Sequence, residues 1–252
     1  MNIMDFKNKV VIITGGSSGI GAETAIQFAK LSAKVVIVGR NEEKLKKVAE
    51  QCEEAQGIKS LIVKADLTND SEVKNIMEET VKHFGQIDVL VNNAGIVAHT
   101  EIQNGVDDFD RVFSTNLRSV YLLTSLAVPH LIKTKGNIVN ISSVAGQKLF
   151  PNLTVYCMSK AALDVFTKGL AKELAPSGVR ANGVSPGPVK TDILVHAGLD
   201  EAAIMKNWEK SSLLGKICVS RDIADMVLYL ASDKGNSITG SINVIDNGRL
   251  LA

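Results

Sequence analysis

The sequence carries no excess charge of either sign: 28 Lys and Arg stand against 27 Asp and Glu in 252 residues, a formal net charge of +1. The charges are dispersed along the chain, so the basic patch that neutralises phosphates is missing and no nucleic-acid partner is expected. Long apolar runs are also missing. None approaches the roughly 18–20 residues that a membrane span requires, so no membrane partner is expected either. The start, MNIMDFKNK, is too polar for a signal peptide, and the end, GRLLA, shows no lipidation or retention signal, which together predict a soluble, cytoplasmic protein. Cysteine is scarce: Cys52, Cys157 and Cys218 lie far apart with no CxxC pair, which reads as reduced structural thiols rather than a disulfide framework. The four histidines (His83, His99, His130, His196) have no HExxH or similar spacing, so no metal site is expected. No Pro/Gly/Ser-rich linker and no repeat of fixed period divides the chain.

Hydrophobic residues, at 45%, make the chain too apolar for disorder. Short Val/Ile-rich runs alternate with longer amphipathic stretches. Lys9–Thr14, Lys34–Gly39, Lys59–Lys64, Ile87–Asn92, Gly136–Ser142, Val179–Val184 and Ser241–Ile245 read as strands. Near-continuous apolar content suits strands buried on both faces of a parallel sheet. Ile20–Leu31, Glu42–Ala55, Ser71–Phe84, Asp107–Leu131, Thr154–Leu174 and Arg221–Ser232 have helical spacing. This order predicts an α/β fold, a Rossmann-like doubly wound parallel sheet in one domain over residues 1–252. The stretch Gly187–Lys216 is the least periodic, with helix-like pieces around Met205–Trp208, and a long irregular insertion of this kind points to function.

The first strand runs into Thr14-Gly15-Gly16-Ser17-Ser18-Gly19-Ile20-Gly21 and then directly into a helix. Glycines there let backbone amides approach a pyrophosphate, and the helix N-terminus adds its positive dipole end. The spacing is G-x-x-x-G-x-G, and the Gly-Lys-Ser/Thr ending of a triphosphate loop is missing. The second strand ends in Gly39-Arg40, with no carboxylate before Glu42. An acidic residue at that point accepts from a ribose 2′-hydroxyl, whereas an arginine grips a 2′-phosphate. NADP(H) is therefore expected in preference to NAD(H), with NAD(H) kept as the alternative.

A second group is Ser143, Tyr156 and Lys160. Tyr156 and Lys160, four residues apart in a helical segment, project from one face. An ammonium close to a phenol favours the phenolate and would let a tyrosine exchange protons near neutral pH. Ser143 ends a predicted strand, where its hydroxyl could hold a substrate oxygen.

The glycine turn, Asn92-Asn93-Ala94-Gly95, Asn116, Ser143, Tyr156-Cys157-Met158-Ser159-Lys160 and Pro186-Gly187 occur in this order. In that pattern the sequence resembles the short-chain dehydrogenase/reductase family, in its compact form, from about Lys7 to Gly248. The resemblance implies a seven-stranded sheet, a homotetramer or homodimer, and an oxidoreductase acting on a small-molecule ketone or secondary alcohol. It implies that Tyr156 is the general acid/base and that Lys160 lowers its pKa and holds the nicotinamide ribose. Ser143 would orient the reacting oxygen, and Asn116 would position a water that links Lys160 to solvent. Cofactor contacts would come from Gly15, Ser17, Ser18, Gly19, Ile20 and Gly21, from Arg40, from Asp66 and Leu67 near the adenine, and from Asn93, Ala94 and Gly95. Tyr156, Lys160, Pro186, Gly187, Val189 and Thr191 would complete that set.

The pattern departs from the family in two places. Asp246-Asn247-Gly248 has Asn where many relatives have a second glycine, which bears on the packing of the tail. Ser18 stands where some NADP-preferring members carry a second basic residue, leaving the 2′-phosphate to Arg40 and nearby hydroxyls. In this family residues of about 190–216 would form a substrate lid. Its Ile193, Leu194, Val195, Leu199, Ile204, Met205 and Trp208 would line an apolar pocket or pack the lid itself. Ala98, His99, Gln147 and Lys148 are rim candidates. An apolar lid suggests a steroid, isoprenoid or similar substrate. A 3-oxoacyl thioester reductase and a non-catalytic nucleotide-binding module are the alternatives.

Overall fold

Successive side chains of a strand point to opposite faces, so a run such as Val10-Val11-Ile12-Ile13 stays apolar throughout only where both faces are covered. In the computed structural model, which describes residues 4–190 and 201–252, they are. Val11 and Ile13 belong to one hydrophobic cluster with Phe28, Leu45 and Val227, while Val10 and Ile12 belong to a second with Ile76, Leu123, Leu131 and Leu170. All four strand residues are fully buried.

The strands are β1 (Val10–Thr14), β2 (Lys34–Gly39), β3 (Leu61–Lys64), β4 (Val89–Asn92), β5 (Asn137–Ile141), β6 (Arg180–Pro186) and β7 (Ile242–Ile245). They form one sheet in the order β3-β2-β1-β4-β5-β6-β7, with every pair parallel. The helices are α1 (Gly19–Lys30), α2 (Glu42–Gln56), α3 (Asp70–Phe84), α4 (Asp107–Phe113), α5 (Ser119–Thr134), α6 (Thr154–Leu174), α7 (Glu201–Lys210) and α8 (Ser220–Ala231). Residues of α1, α2 and α8 fill the first cluster, and residues of α3, α5 and α6 the second. This is the doubly wound α/β architecture that the alternation of elements implies.

The strand order reverses between β1 and β4, which places the loops after these two strands side by side at the carboxyl end of the sheet. In open α/β sheets that crevice is where ligands bind. The glycine turn and Asn93-Ala94-Gly95 meet there.

One predicted element is corrected. The helix expected over Asp107–Leu131 is interrupted: a π-helical turn, Ser114–Arg118, separates α4 from α5, and the helix runs on to Thr134. Such a bulge spoils regular helix bonding and persists where tertiary bonds offset it. Here the residue at its centre is Asn116, only 1% exposed, whose side chain is bonded to the neighbouring chain on both its oxygen and its nitrogen. Thr191, together with Ile193, Leu194, Val195 and Leu199 of the expected lid, lies outside the described residues. Met205 and Trp208 fall on α7 and are half-buried.

Candidate active site

β1 ends at Thr14 and α1 begins at Gly19, so four residues make the turn. Gly15 has φ +64°, in the left-handed region, and a Cβ there would lie 2.8 Å from Asn93 Nδ2 and 2.9 Å from Ala94 Cα. A Cβ on Gly21 would run into the Gly15 carbonyl oxygen, so the first turn of α1 closes onto the loop only without side chains. Ser18, the N-cap of α1, makes no side-chain cap bond. The amides of Gly19, Ile20 and Gly21, which precede the first helical bond from Ala22 N to the Ser18 carbonyl, thus receive no side-chain cap, which leaves donors and the positive dipole end for an anion.

Asn93 holds this turn to the next strand. Its Nδ2 donates to the carbonyls of Thr14 (2.9 Å) and Gly15 (3.2 Å), and the amides of Asn93 and Ala94 donate to Thr14 Oγ1 at 3.0 and 3.1 Å. The Asn93 amide nitrogen is therefore engaged in shaping the cradle.

Arg40 follows β2 directly, and Asn41 caps α2 by accepting from the Lys44 amide at 3.0 Å. That short connection leaves Arg40 exposed, and among the described residues its guanidinium makes no hydrogen bond or ion pair. Its charge reaches Asp66, whose carboxyl is held below its ordinary pKa first by the Thr68 amide and hydroxyl, with Arg40 adding to the effect. Asp66 accepts from Thr68 N at 2.9 Å and from Thr68 Oγ1 at 2.8 Å, and Leu67 packs on the second core cluster.

Tyr156 and Lys160 share one face of α6, and that face docks on the end of β5. The Tyr156 hydroxyl faces the Ser143 side chain, and the Lys160 ammonium donates to the Ile141 carbonyl at 2.9 Å. Ser143 also caps the 3-10 turn Val144–Gly146, its Oγ accepting from the Ala145 amide at 3.1 Å. Lys160 is 4% exposed, and burial lowers its pKa to about 8, with Asp164 acting in the opposite sense. Burial raises the Tyr156 phenol above its ordinary value, with the bond to Ser143 opposing. The Lys160 ammonium lies 5.8 Å from the Tyr156 ring centre.

Asn116 closes the group from the other side. Its Oδ1 accepts from the Ile96 amide at 2.8 Å, while Nδ2 donates to the Ile96 carbonyl at 2.9 Å and to Ser159 Oγ at 3.1 Å. A Cβ on Gly95 would sit 3.4 Å from Asn116 Oδ1 and 3.5 Å from Lys160 Nζ, so Gly95, Asn116 and Lys160 converge on one spot. Pro186 ends β6, and Gly187 lies so close to Asp246 that a Cβ would come 2.8 Å from its Cα. Val189, 8% exposed, bridges to Cys218.

This constellation at the carboxyl end of a doubly wound sheet has counterparts in known proteins. Residues 15–249 match the family model described as Enoyl-(Acyl carrier protein) reductase. An oxidoreductase of Thermotoga maritima is 37% identical over 97% of this chain and 98% of its own length. A 3beta-hydroxysteroid dehydrogenase of Mediterraneibacter gnavus is 35% identical over 96% of this chain and 95% of its own. A Caenorhabditis elegans short-chain dehydrogenase/reductase of unknown function, solved with cofactor, superposes with a TM-score of 0.93 at 38% identity, covering 98% of this chain and 97% of that one. The chain belongs to the short-chain dehydrogenase/reductase family. Membership makes it an NAD(P)-dependent oxidoreductase that acts on a small molecule.

For this short-chain dehydrogenase/reductase one cavity among the described residues lies away from the candidate site. A hollow of about 490 Å³ opens at the amino end of the sheet, lined by Lys9, Asp88, Asn137 and Arg180 among others. None of the candidate residues lines it, and the chemistry of Ser143, Tyr156 and Lys160 lies at the opposite ends of the strands. The rim candidates divide: Ala98 is buried, whereas His99, Gln147 and Lys148 are exposed. Lys148 donates to the Ala252 carbonyl at 3.0 Å, so the chain's end reaches the loop between Ser143 and Tyr156. The three cysteines are buried, and desolvation raises both Cys52 and Cys218 to about 11, which leaves them inert as thiols. Asn247 adopts φ +53° and its Nδ2 approaches the Cys218 sulfur at 3.2 Å, so Asn replaces the family's glycine while keeping its left-handed backbone. Ser142 and Asp164 were not singled out from sequence, because nothing in an isolated Ser or Asp marks burial beside Lys160. Among the described residues no helix is long and apolar enough to cross a membrane.

Proposed function

We propose that this chain is an NADP(H)-dependent oxidoreductase that interconverts a ketone and a secondary alcohol on an apolar substrate. The observation that carries the reading is the α6 face: Tyr156 facing Ser143, with the buried Lys160 ammonium one turn away and bonded to the Ile141 carbonyl.

The turn fits a dinucleotide, because Gly15 and Gly21 bring backbone together where any Cβ would collide and the α1 amides stay uncapped. Gly15, Ser17, Ser18, Gly19, Ile20 and Gly21 would hold the pyrophosphate end, and Arg40 the 2′-phosphate. Asp66 and Leu67 would border the adenine. Asn93, Ala94, Gly95, Pro186, Gly187, Val189 and Thr191 would flank the remainder, with Tyr156 and Lys160 at the ribose. When bound, the nicotinamide supplies or accepts the hydride. The chain's own task is to place one proton. Tyr156, protonated at neutral pH as a phenol is, donates its hydroxyl proton to the substrate oxygen during reduction, while Ser143 Oγ orients that oxygen. Lys160, still largely charged at pH 7 with a pKa of about 8, favours the phenolate left behind, and Asn116 positions the relay that restores the proton.

The apolar residues of the 190–216 segment support a lid over an apolar substrate, and the steroid dehydrogenase relative is consistent with that class. A 3-oxoacyl thioester is the second reading, favoured by a 36% identical 3-oxoacyl-acyl-carrier-protein reductase FabG of Thermotoga maritima. Exposed Tyr121 (62%) and Val165 (69%) on α5 and α6, beside a Tyr121–Phe166 ring contact, support assembly as a homotetramer or homodimer. The even charge supports a cytoplasmic protein with no nucleic-acid partner.

An NADPH- and NADH-oxidation screen over steroids, diketones, aliphatic aldehydes and acyl thioesters tests the reading. Tyr156→Phe is expected to lose about a hundredfold or more of the reduction rate while still binding NADPH. Near-normal turnover in that variant would sink the assignment.

A further inference from the structure

Three residues on one face of α6, each four apart, meet three consecutive residues at the end of β5. Tyr156 faces Ser143, and Lys160 Nζ donates to the Ile141 carbonyl. Asp164 takes the third place: it faces Ser142, whose hydroxyl donates to the Lys160 carbonyl at 3.4 Å. The Asp164 side chain is only 7% exposed, and its Oδ1 has no hydrogen-bond partner. Its Oδ2 would lie 2.8 Å from a Cβ on Gly146, so the turn that carries Ser143 is built directly against this carboxylate. A buried carboxylate short of partners is costly and is normally retained only against a compensating charge.

We propose that Asp164 is a positioning residue for the Tyr156–Lys160 pair, its carboxylate seating α6 on the end of β5 and serving as counter-charge to the Lys160 ammonium. The charged groups facing Asp164 are Lys160 and the exposed Lys168, both on α6; the β5 side contributes the Ser142 hydroxyl and the Gly146 backbone. Lys160 in turn faces Tyr156 and Asp164 on α6, the Ile141 carbonyl on β5, and uncharged Gly95 and Asn116. Asp164, one turn along the same buried face of α6, is the charged group that acts on the lysine. Burial raises its own pKa, with Ser142 first and then Lys160 and Lys168 opposing. The catalytic meaning of this arrangement rests on the function proposed above; the electrostatic coupling does not.

The test is a carbon-13 NMR titration of the full-length protein labelled at lysine Cε, with Lys160→Met assigning the Lys160 signal. Wild-type Lys160 should titrate near 8, and Asp164→Asn should lower its proton affinity about tenfold or more. An unchanged Lys160 midpoint in a folded Asp164→Asn protein overturns the proposal. Should that variant fail to fold, wild-type protein labelled instead at the aspartate carboxyl carbon gives the same information through Asp164. Its signal should move as Lys160 titrates, and that step should vanish in Lys160→Met; absence of the step in wild type also overturns the proposal. A coupled titration in a protein that reduces no carbonyl keeps the coupling and removes the catalytic reading. An uncoupled one in a protein that Tyr156→Phe inactivates does the reverse.

Discussion

Replacing Lys160 by Met separates what the buried lysine costs the fold from what it does in the site. Lys160 is 4% exposed, and burial takes its pKa from 10.5 to about 8. The folded state therefore binds this proton more weakly than the unfolded chain, a penalty of about 3 kcal/mol at pH 7, where both states are mostly protonated. The sign follows from linkage. Between about 8 and 10.5 the unfolded chain carries more protons than the folded one, so stability rises with pH as the penalty is relieved. By pH 9.5 it has fallen to about half, and wild type should gain about 2 kcal/mol on Lys160→Met between pH 7 and pH 9.5.

Two other consequences of the substitution enter the gap at pH 7, where wild-type Lys160 is still mostly charged. The Ile141 carbonyl loses its donor, at about 1–3 kcal/mol, and Asp164 loses its counter-charge. These offset part or all of the gain from removing a buried ammonium, so at pH 7 the variant should unfold within about 2 kcal/mol of wild type. The raised Tyr156 phenol works in the opposite direction, since stability tied to it is lost as pH climbs through and above 10, but it is present in both proteins. Urea unfolding of both proteins at pH 7 and pH 9.5 measures the difference. A gap that stays constant, or that moves against wild type as pH rises, refutes the reasoning. Reduction by Lys160→Met should be severely impaired at either pH, so the residue that strains the fold is the one the site needs.

Gly21→Ala places a Cβ against the Gly15 carbonyl and 2.5 Å from Asn93 Nδ2, and should cost about 1–3 kcal/mol by thermal melting and weaken NADPH binding in a fluorescence titration. A variant as stable as wild type with unchanged affinity would show that the turn yields freely. Arg40→Ala should lower kcat/KM for NADPH about 10–100-fold and leave that for NADH nearly unchanged, because only the 2′-phosphate loses its charge-assisted partner. Equal losses with both cofactors would remove Arg40 from phosphate recognition.

The strands were legible where side-chain chemistry determines them. Val10–Thr14 and Lys34–Gly39 are apolar because both faces of the sheet are covered, and that requirement is written in the residues themselves. β6 runs on to Pro186, beyond the Val184 that its apolar pattern indicates, because Ser185 and Pro186 are paired through backbone with Val244 and Ile245. The π-helical turn was illegible for a related reason. Ser114–Arg118 contains no helix breaker, and what bends it is the Asn116 side chain bonding to Ile96 and Ser159, far away in sequence.

The same distinction runs through the site. The four-residue spacing of Tyr156 and Lys160 is a property of the sequence, but a Tyr-x-x-x-Lys pair usually lies on a solvated helix face, and spacing alone cannot tell that face from a buried one. The ordered set of motifs singled the pair out, whereas the burial that sets its chemistry comes from β5. Asp164 continues the spacing by one more turn and, read alone, would be one more solvated carboxylate. Only the end of β5 distinguishes the two cases, because Ile141, Ser142 and Ser143 present a carbonyl and two hydroxyls at the successive levels where α6 brings Lys160, Asp164 and Tyr156. Neither segment encodes that match without the other. It follows that substitutions at Ser142 or Gly146, neither of which belongs to the candidate site, should disturb Lys160 more than equally conservative changes on the exposed side of α6.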